Sequence, residues 1–173
     1  MWITSTYLGR PDPDAQAFVY FFWETYASNR AAPERLAEYL RRAGNTFGKS
    51  ATFLLPNPAD TDRISQEVNR GRLKGFASEI QENAPCLMVT AKSLDEFDPT
   101  RDNCLFLRIP PETASDVDIE RFFADMHNHV SNKKRESARE PNSFIRRLWD
   151  AIEIAPNFIG IGVRLKDGHG INR

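Results

Sequence analysis

Residues 17–26, AFVYFFWETY, decide the fold because they are the densest aromatic run in the chain. Val, Tyr, Phe and Trp favour β-strands, and a continuous apolar run is typical of a strand that is covered on both faces of its sheet. The run therefore predicts a central strand. The alternative is a buried helix, whose inward face would hold Phe18, Phe21, Phe22 and Tyr26.

The sequence on either side of this run alternates between strand and helix patterns. Short apolar runs predict strands at residues 2–8, 51–55, 86–93, 104–110 and 157–165. Apolar residues at helical spacing predict helices at 33–43, from Asp60 to about Glu82, from Ser115 to Val130, and after Asn142 or Ser143. Gly44 is expected to cap the first of these helices. Strands 86–93 and 104–110 are expected to form an antiparallel hairpin around an acidic loop.

Composition and charge exclude several classes of protein. The chain has 173 residues, of which 40% are hydrophobic and 27% are charged, so it is neither wholly disordered nor collagen-like. The 23 basic and 24 acidic residues give a net charge of −1, which argues against bulk electrostatic binding of nucleic acid. No apolar run is long enough to span a membrane, and no secretory signal is visible. We therefore expect a cytoplasmic protein without a membrane segment.

The order of predicted elements over residues 17–130 is strand, helix, strand, helix, strand, strand, helix, and this order resembles the thioredoxin-like topology. Residues 18–30, FVYFFWETYASNR, resemble the strand and active-site turn of that superfamily, and residues 83–85, Asn-Ala-Pro before an apolar strand, resemble its cis-proline loop. The resemblance covers about 115 of the 173 residues. It implies an α/β fold with a thioredoxin-like core, in which a mixed sheet has βαβαββα order. This domain would span residues 1–131, and residues 132–173 would add a charged linker, a short helix, a strand and a loose tail.

The turn that follows the aromatic strand departs from the superfamily in its chemistry. With Phe22 and Trp23 aligned, the two cysteines of the family pattern fall on Ala27 and Arg30. Thiol–disulfide exchange requires a thiolate nucleophile and a second thiol that resolves the mixed disulfide, and these residues offer neither. The resemblance therefore implies a redox-inactive module that binds a protein partner. Its binding surface would contain Ala27, Ser28, Asn29, Arg30, Pro85 and Cys86.

The two cysteines of the chain, Cys86 and Cys104, are expected to stay reduced. If residues 93–103 close the hairpin, Cys104 lies opposite Lys92, whereas Cys86 lies opposite Ile109 or Pro110. The sulfurs are then too far apart for a disulfide. Cys86 itself is either a lone reactive thiol or a small apolar residue of the strand.

Other polar clusters give no pattern for a metal or a cofactor, and we predict neither. His127 and His129 point about 200° apart on a helix, and His169 stands in a glycine-rich tail, so exposed histidines without a special role are expected. The acidic loop lacks the glycine and glutamate of an EF-hand and is predicted to be a solvated hairpin tip. Its acidic residues are Asp95, Glu96, Asp98 and Asp102.

Two further functions compete with the binding module. An enzyme on a different α/β sheet would draw its catalytic groups from strand ends, and the available residues are Arg10, Asp12, Asp14 and Arg30. A nucleic-acid-associated protein would use the basic segment 132–147, although a solvated helix face explains that segment as well. Its basic residues are Lys133, Lys134, Arg135, Arg139, Arg146 and Arg147.

The last predicted strand, residues 157–165, offers the binding module a second surface. An unpaired strand edge accepts a further strand, either from a protein partner or from a second copy of the same chain. We therefore predict a protein partner, with homo-oligomerisation through residues 157–165 as one form of it, and we do not expect a nucleic-acid partner.

Overall fold

A computed structural model of the chain describes residues 2–4, 6–8, 12, 14–22, 31–47, 51–69, 73–74, 77–84, 86–108, 121, 124, 127–128 and 162–166. These residues confirm the α/β class. The strands are β1 (Trp2–Thr4), β2 (Phe18–Phe22), β3 (Thr52–Pro56), β4 (Cys86–Thr90), β5 (Cys104–Arg108) and β6 (Gly162–Lys166). The helices are α1 (Ala31–Phe47), α2 (Thr61–Asn69) and α3 (Ala77–Asn83), and a 3₁₀ turn at Pro58–Asp60 precedes α2.

The strands form one mixed sheet in the order β1–β3–β2–β4–β5–β6. Strands β1, β3 and β2 are parallel, and β4, β5 and β6 then follow with antiparallel pairing. Strand β6 pairs with β5 and therefore belongs to the same sheet as the strands of the predicted first domain.

The aromatic run is a strand over Phe18–Phe22, and the helix alternative is wrong for these five residues. All five are buried, because β2 lies between β3 and β4 and both of its faces are covered. A strand buried on both faces needs apolar side chains at successive positions rather than at alternate ones, and FVYFF supplies them. The continuous apolar run was therefore a reliable signal.

Helices pack on both faces of the sheet. On one face, Tyr20, Leu54 and Met88 join a buried cluster with side chains of α2 and α3, among them Ile64 and Ile80. The other face carries α1, since the Phe47 ring lies 5.6 Å from the Phe53 ring of β3. Alternate residues of each strand therefore serve two separate cores.

The observed helices correct two expectations. Gly44 does not end α1, which continues to Phe47, because burial of the Phe47 ring against Phe53 stabilises one further turn. The predicted helix from Asp60 to about Glu82 consists of two helices, α2 and α3. Leu73, between them, is 1% exposed and belongs to the core cluster. Two glycines in this stretch, at positions 71 and 75, weaken a continuous helix.

The predicted hairpin is present as β4 and β5, but its register is two residues away from the expected one. Thr90 pairs with Cys104, and Cys86 pairs with Arg108. Strand β4 ends at Thr90, whose hydroxyl donates to the Lys92 carbonyl at 2.6 Å, so the loop begins earlier than predicted. Both cysteines are free, as expected, because they lie at opposite ends of the ladder.

Some predicted elements lie wholly or partly outside the described residues. The helix predicted at 115–130 is described only at Arg121, Ala124, His127 and Asn128, all of which are helical. The linker and short helix at 131–156 are not among the described residues, and the final strand, expected at 157–165, is described as Gly162–Lys166. In the described part of the chain, no helix is long and apolar enough to cross a bilayer.

Candidate functional site at the carboxyl edge of the sheet

The carboxyl ends of β1, β2 and β3 lie at one edge of the sheet because these strands are parallel. Strand β2 leads into α1 on the Phe53 face, whereas β3 leads into α2 on the Leu54 face. Where neighbouring strands send their chains to opposite faces, a crevice forms outside the strand ends, and α/β proteins bind ligands there. The region outside the carboxyl ends of β2 and β3 is therefore the candidate site.

The predicted binding segments approach this same edge. Phe22, at the end of β2, is paired with Cys86, at the start of β4. The chain therefore leaves β2 toward Ala27–Arg30, and enters β4 from Pro85, at neighbouring points of the sheet. Residues 27–30 and Pro85 lie outside the described residues, so their membership of one surface stays a prediction.

Asn57 organises the part of the edge that follows β3. Its backbone N–H donates to the Thr4 carbonyl at 2.8 Å, and its side-chain Nδ2 donates to Asp60 Oδ2 at 2.9 Å. Its Oδ1 accepts from the Ala59 N–H at 3.3 Å, and its carbonyl accepts from the Asp60 N–H at 2.8 Å. One asparagine thus joins the end of β1 to the turn that starts α2, as expected of an Asx turn before a helix.

Tyr7 lies beneath the same edge and is only 1% exposed. Its hydroxyl donates to the Phe21 carbonyl and also lies 3.5 Å from the Leu54 carbonyl, while its backbone N–H donates to Glu67 Oε2 at 3.1 Å. Burial raises the pKa of the Tyr7 phenol well above its ordinary value, and the nearby Tyr20 and Cys86 raise it further. The phenol is therefore a permanently protonated donor and a structural tie, not an acid–base group.

Tyr20 makes a similar long-range hydrogen bond toward the opposite end of the strands, where β4 ends. Its hydroxyl accepts the backbone N–H of Leu94 at 3.0 Å, and both residues are 0% exposed. Burial is the main cause of the raised pKa of this phenol. The hydrogen bond fixes the start of the loop between β4 and β5 on the strand at the centre of the sheet.

Cys86 was predicted to lie on the binding surface, and this placement is corrected by its burial. The side chain is 0% exposed and packs in the cluster with Phe22 and Met88. Burial raises the pKa of the thiol to about 12, so almost no thiolate forms at neutral pH. Of the two alternatives for Cys86, the small apolar strand residue agrees with these facts and the reactive thiol does not.

Two carboxylates of the acidic loop between β4 and β5, those of Asp98 and Asp102, accept hydrogen bonds from within the loop and its flanks. Asp102 accepts from Lys92 Nζ at 2.6 Å and from the Asp98 N–H at 2.9 Å. Asp98 in turn accepts from both the N–H and the hydroxyl of Thr100. Phe97, which is 0% exposed, anchors the loop in the core. The loop is therefore packed on one side and not merely a solvated tip.

No three His, Cys, Asp or Glu side chains of the described residues come together as metal ligands. Ser93, at the start of the acidic loop, is 1% exposed, and its Oγ has no hydrogen-bond partner in the described structure. A single orphaned hydroxyl beside internally bonded carboxylates does not define a cation site.

The residues of the rival functions are not brought together in the described structure. Asp12 and Asp14 form a turn, with the Asp14 N–H donating to Asp12 Oδ1 at 3.0 Å, and this turn precedes the amino end of β2. Arg10 and Arg30 lie outside the described residues. The basic segment also lies outside them, with Lys133, Lys134, Arg135, Arg139, Arg146 and Arg147.

His127 differs from its expected exposure. It is half-buried, and its ring lies edge-on to the Phe47 ring at 5.2 Å between centroids. The imidazole therefore serves packing on the α1 face of the sheet.

Sequence reasoning missed the two tyrosines, although one signal was present. In a strand that is covered on both faces, a buried tyrosine hydroxyl needs a partner, which marks Tyr20 as a hydrogen-bonding position. Tyr7 gave no comparable signal, because it follows β1 in an irregular segment whose path depends on the tertiary structure.

Comparisons with known proteins give no relative for this arrangement: no family model, no curated protein and no solved structure matches the chain.

Proposed function

We propose that the protein is a redox-inactive, thioredoxin-like binding module that acts by holding a protein partner. The single observation that carries the proposal is the position of β6, which ends the sheet and pairs through Gly162–Lys166 with β5 on one side only among the described strands. Such an edge presents backbone donors and acceptors to a further strand.

The order of the elements supports the thioredoxin-like part of the proposal. From β2 to β5 the chain runs strand, helix, strand, helical segment, strand, strand, which is the order that the resemblance implies. The mixed sheet, in which β4 is antiparallel to β2 and β5 is antiparallel to β4, is compatible with it.

The chemistry of the described residues supports binding rather than thiol catalysis. The turn after β2 has Ala27 and Arg30 where the family pattern has cysteines. Cys86, the thiol nearest to the carboxyl edge, is fully buried and has a raised pKa. A thiol that is neither exposed nor ionised is a poor nucleophile.

The test uses proline to block the edge of β6. In an antiparallel strand, successive residues direct their N–H groups to opposite sides, so one of Val163 and Arg164 points away from β5. Proline at that position removes only an outward donor, whereas proline at the other position breaks the ladder to β5. Val163→Pro and Arg164→Pro therefore form a matched pair. The variant with wild-type stability has lost only the outward donor, and we call it the edge-blocked variant.

The wild-type chain is examined by light scattering for a second copy and by quantitative pull-down from a native lysate for another protein. We expect at least one association, and we expect the edge-blocked variant to lose it while its unfolding midpoint stays unchanged. A strictly monomeric wild-type chain that retains no protein would overturn the proposal. If the edge-blocked variant keeps the association, the contact does not involve the edge of β6.

The carboxyl edge is tested in the same assays with Arg30→Glu. If the surface around residues 27–30 holds the partner, reversal of this charge weakens retention, while the edge-blocked β6 variant retains the partner normally. The two variants thus separate the two predicted surfaces.

A further inference from the structure

Strand β1 makes few backbone hydrogen bonds to the rest of the sheet. It has three residues, which among the described strands pair with β3 alone, as Trp2 with Leu54, Ile3 with Leu55 and Thr4 with Pro56. The Asn57 N–H donates to the Thr4 carbonyl at 2.8 Å, which is the last backbone hydrogen bond between β1 and the chain of β3. A strand this short at a sheet edge needs other contacts to stay in place.

Those contacts come from the end of β1 and the residues after it, here named the N-terminal strap and defined as Thr4, Thr6, Tyr7 and Leu8. Tyr7 provides its long-range ties. The β2–β3 ladder ends at the pair of Tyr20 with Leu54, and the Tyr7 hydroxyl bonds at this point, to the Phe21 and Leu54 carbonyls. The Tyr7 hydroxyl therefore takes the place of the next backbone hydrogen bond between β2 and β3.

Packing adds to the hydrogen bonds of Tyr7. Its ring lies edge-on to those of Tyr20 and Phe22, each at 5.2 Å between centroids, and its N–H bonds to Glu67 of α2. Tyr7 therefore connects the strap to two strands through its side chain and to one helix through its backbone N–H.

The other bonds of the strap are internal. The Thr4 hydroxyl donates to the Thr6 carbonyl at 2.7 Å, and the Thr6 hydroxyl accepts the Leu8 N–H at 3.1 Å. Leu8 is 44% exposed. These local bonds would survive if the strap moved away from the sheet, so its release requires the loss of the Tyr7 ties and the Asn57–Thr4 bond but no rearrangement within the strap.

We propose that β1 and the N-terminal strap open together as one local unit, and that the Tyr7 hydroxyl is the latch that keeps them closed. Opening uncovers the side of β3 with which β1 pairs. A three-residue strand at the edge of a sheet is the kind of segment that opens below the free energy of global unfolding.

The test is amide hydrogen exchange of the full chain in its wild-type form and as Tyr7→Phe. The variant keeps the ring and removes only the hydroxyl. We expect exchange at the Tyr7 and Asn57 amides to rise together, by roughly fivefold, as the loss of one hydrogen bond predicts. Exchange in the β4–β5 ladder should stay unchanged.

Tyr20→Phe is the matched control, because it removes the other buried phenol and should accelerate exchange at Leu94 but not at Asn57. An increase at Tyr7 without an increase at Asn57 would refute the single opening unit. An equal increase at all protected amides would refute the latch, because it reports global destabilisation.

Native-state exchange of the wild-type chain in low urea gives a second measurement that does not depend on a variant. If the Tyr7 and Asn57 amides share one opening free energy with little urea dependence, the unit exists as proposed. If they open only with the whole sheet, it does not.

Discussion

Removal of the Tyr20 hydroxyl tests whether the acidic loop is tied to the centre of the sheet. In Tyr20→Phe the ring remains, so the edge-on contact with Tyr7 and the packing in the core are preserved. The backbone N–H of Leu94, which donates to the hydroxyl at 3.0 Å, loses its acceptor in a site where both residues are 0% exposed.

The expected cost follows from this geometry. A buried donor without a partner destabilises a protein by about 1–3 kcal/mol, and water does not enter the space that one oxygen leaves. For a chain of this size, 1 kcal/mol shifts the melting temperature by about 2–4 °C, so a cost of about 2 kcal/mol lowers it by about 4–8 °C.

Urea unfolding followed by tryptophan fluorescence measures the free energy, and amide exchange at Leu94 locates the effect. Tyr7→Phe is the matched control, because its hydroxyl is a donor at the other edge and its loss should leave Leu94 protected. If Tyr20→Phe unfolds within about 0.5 kcal/mol of the wild type and Leu94 stays protected, the tie between the loop and β2 does not exist.

Three further predictions concern thiols, pH and the loop. Because Cys86 and Cys104 are both 0% exposed, a thiol reagent should label the native chain far more slowly than the chain unfolded in urea, and equally rapid labelling of either thiol would contradict this burial. Burial raises the pKa of the Cys86 thiol from 9.0 to about 12, so only the unfolded chain releases this proton between these values. The contribution of Cys86 to the free energy of unfolding should therefore be constant below pH 9 and decrease above it by about 1.4 kcal/mol per pH unit. Urea titrations from pH 7 to 10 should show a smaller decrease for Cys86→Ala than for the wild type. Asp102 accepts from Lys92 and from the Asp98 N–H, so Asp102→Ala should cost about 1–2 kcal/mol, whereas Asp102→Asn, which keeps an acceptor, should cost less than half as much in the same titration.

The elements could be predicted from the sequence where local pattern and burial agree. The FVYFF run predicted β2 because a strand covered on both faces requires successive apolar residues, and no distant contact is needed to see this. The hairpin of β4 and β5 was visible for the same reason. The α/β class followed from the alternation of strand and helix patterns.

Boundaries and register could not be predicted, because they depend on contacts between distant residues. Helix α1 passes Gly44 since Phe47 packs on Phe53, and the hairpin register depends on where Thr90 turns to bond Lys92. The helix expected between Asp60 and Glu82 is divided at the buried Leu73, a position that only the core assigns.

For the candidate site, the sequence determined which chemistry is missing after β2, because residues 23–30 contain no cysteine. The tertiary structure alone decided that Cys86 is buried and that Tyr7, an unremarkable residue between β1 and the first prolines, reaches the carbonyls of Phe21 and Leu54. A residue's neighbours along the chain fix its local conformation. Its hydrogen-bond partners and its access to water are set by segments 14 and 47 positions away, which come together only when the sheet forms.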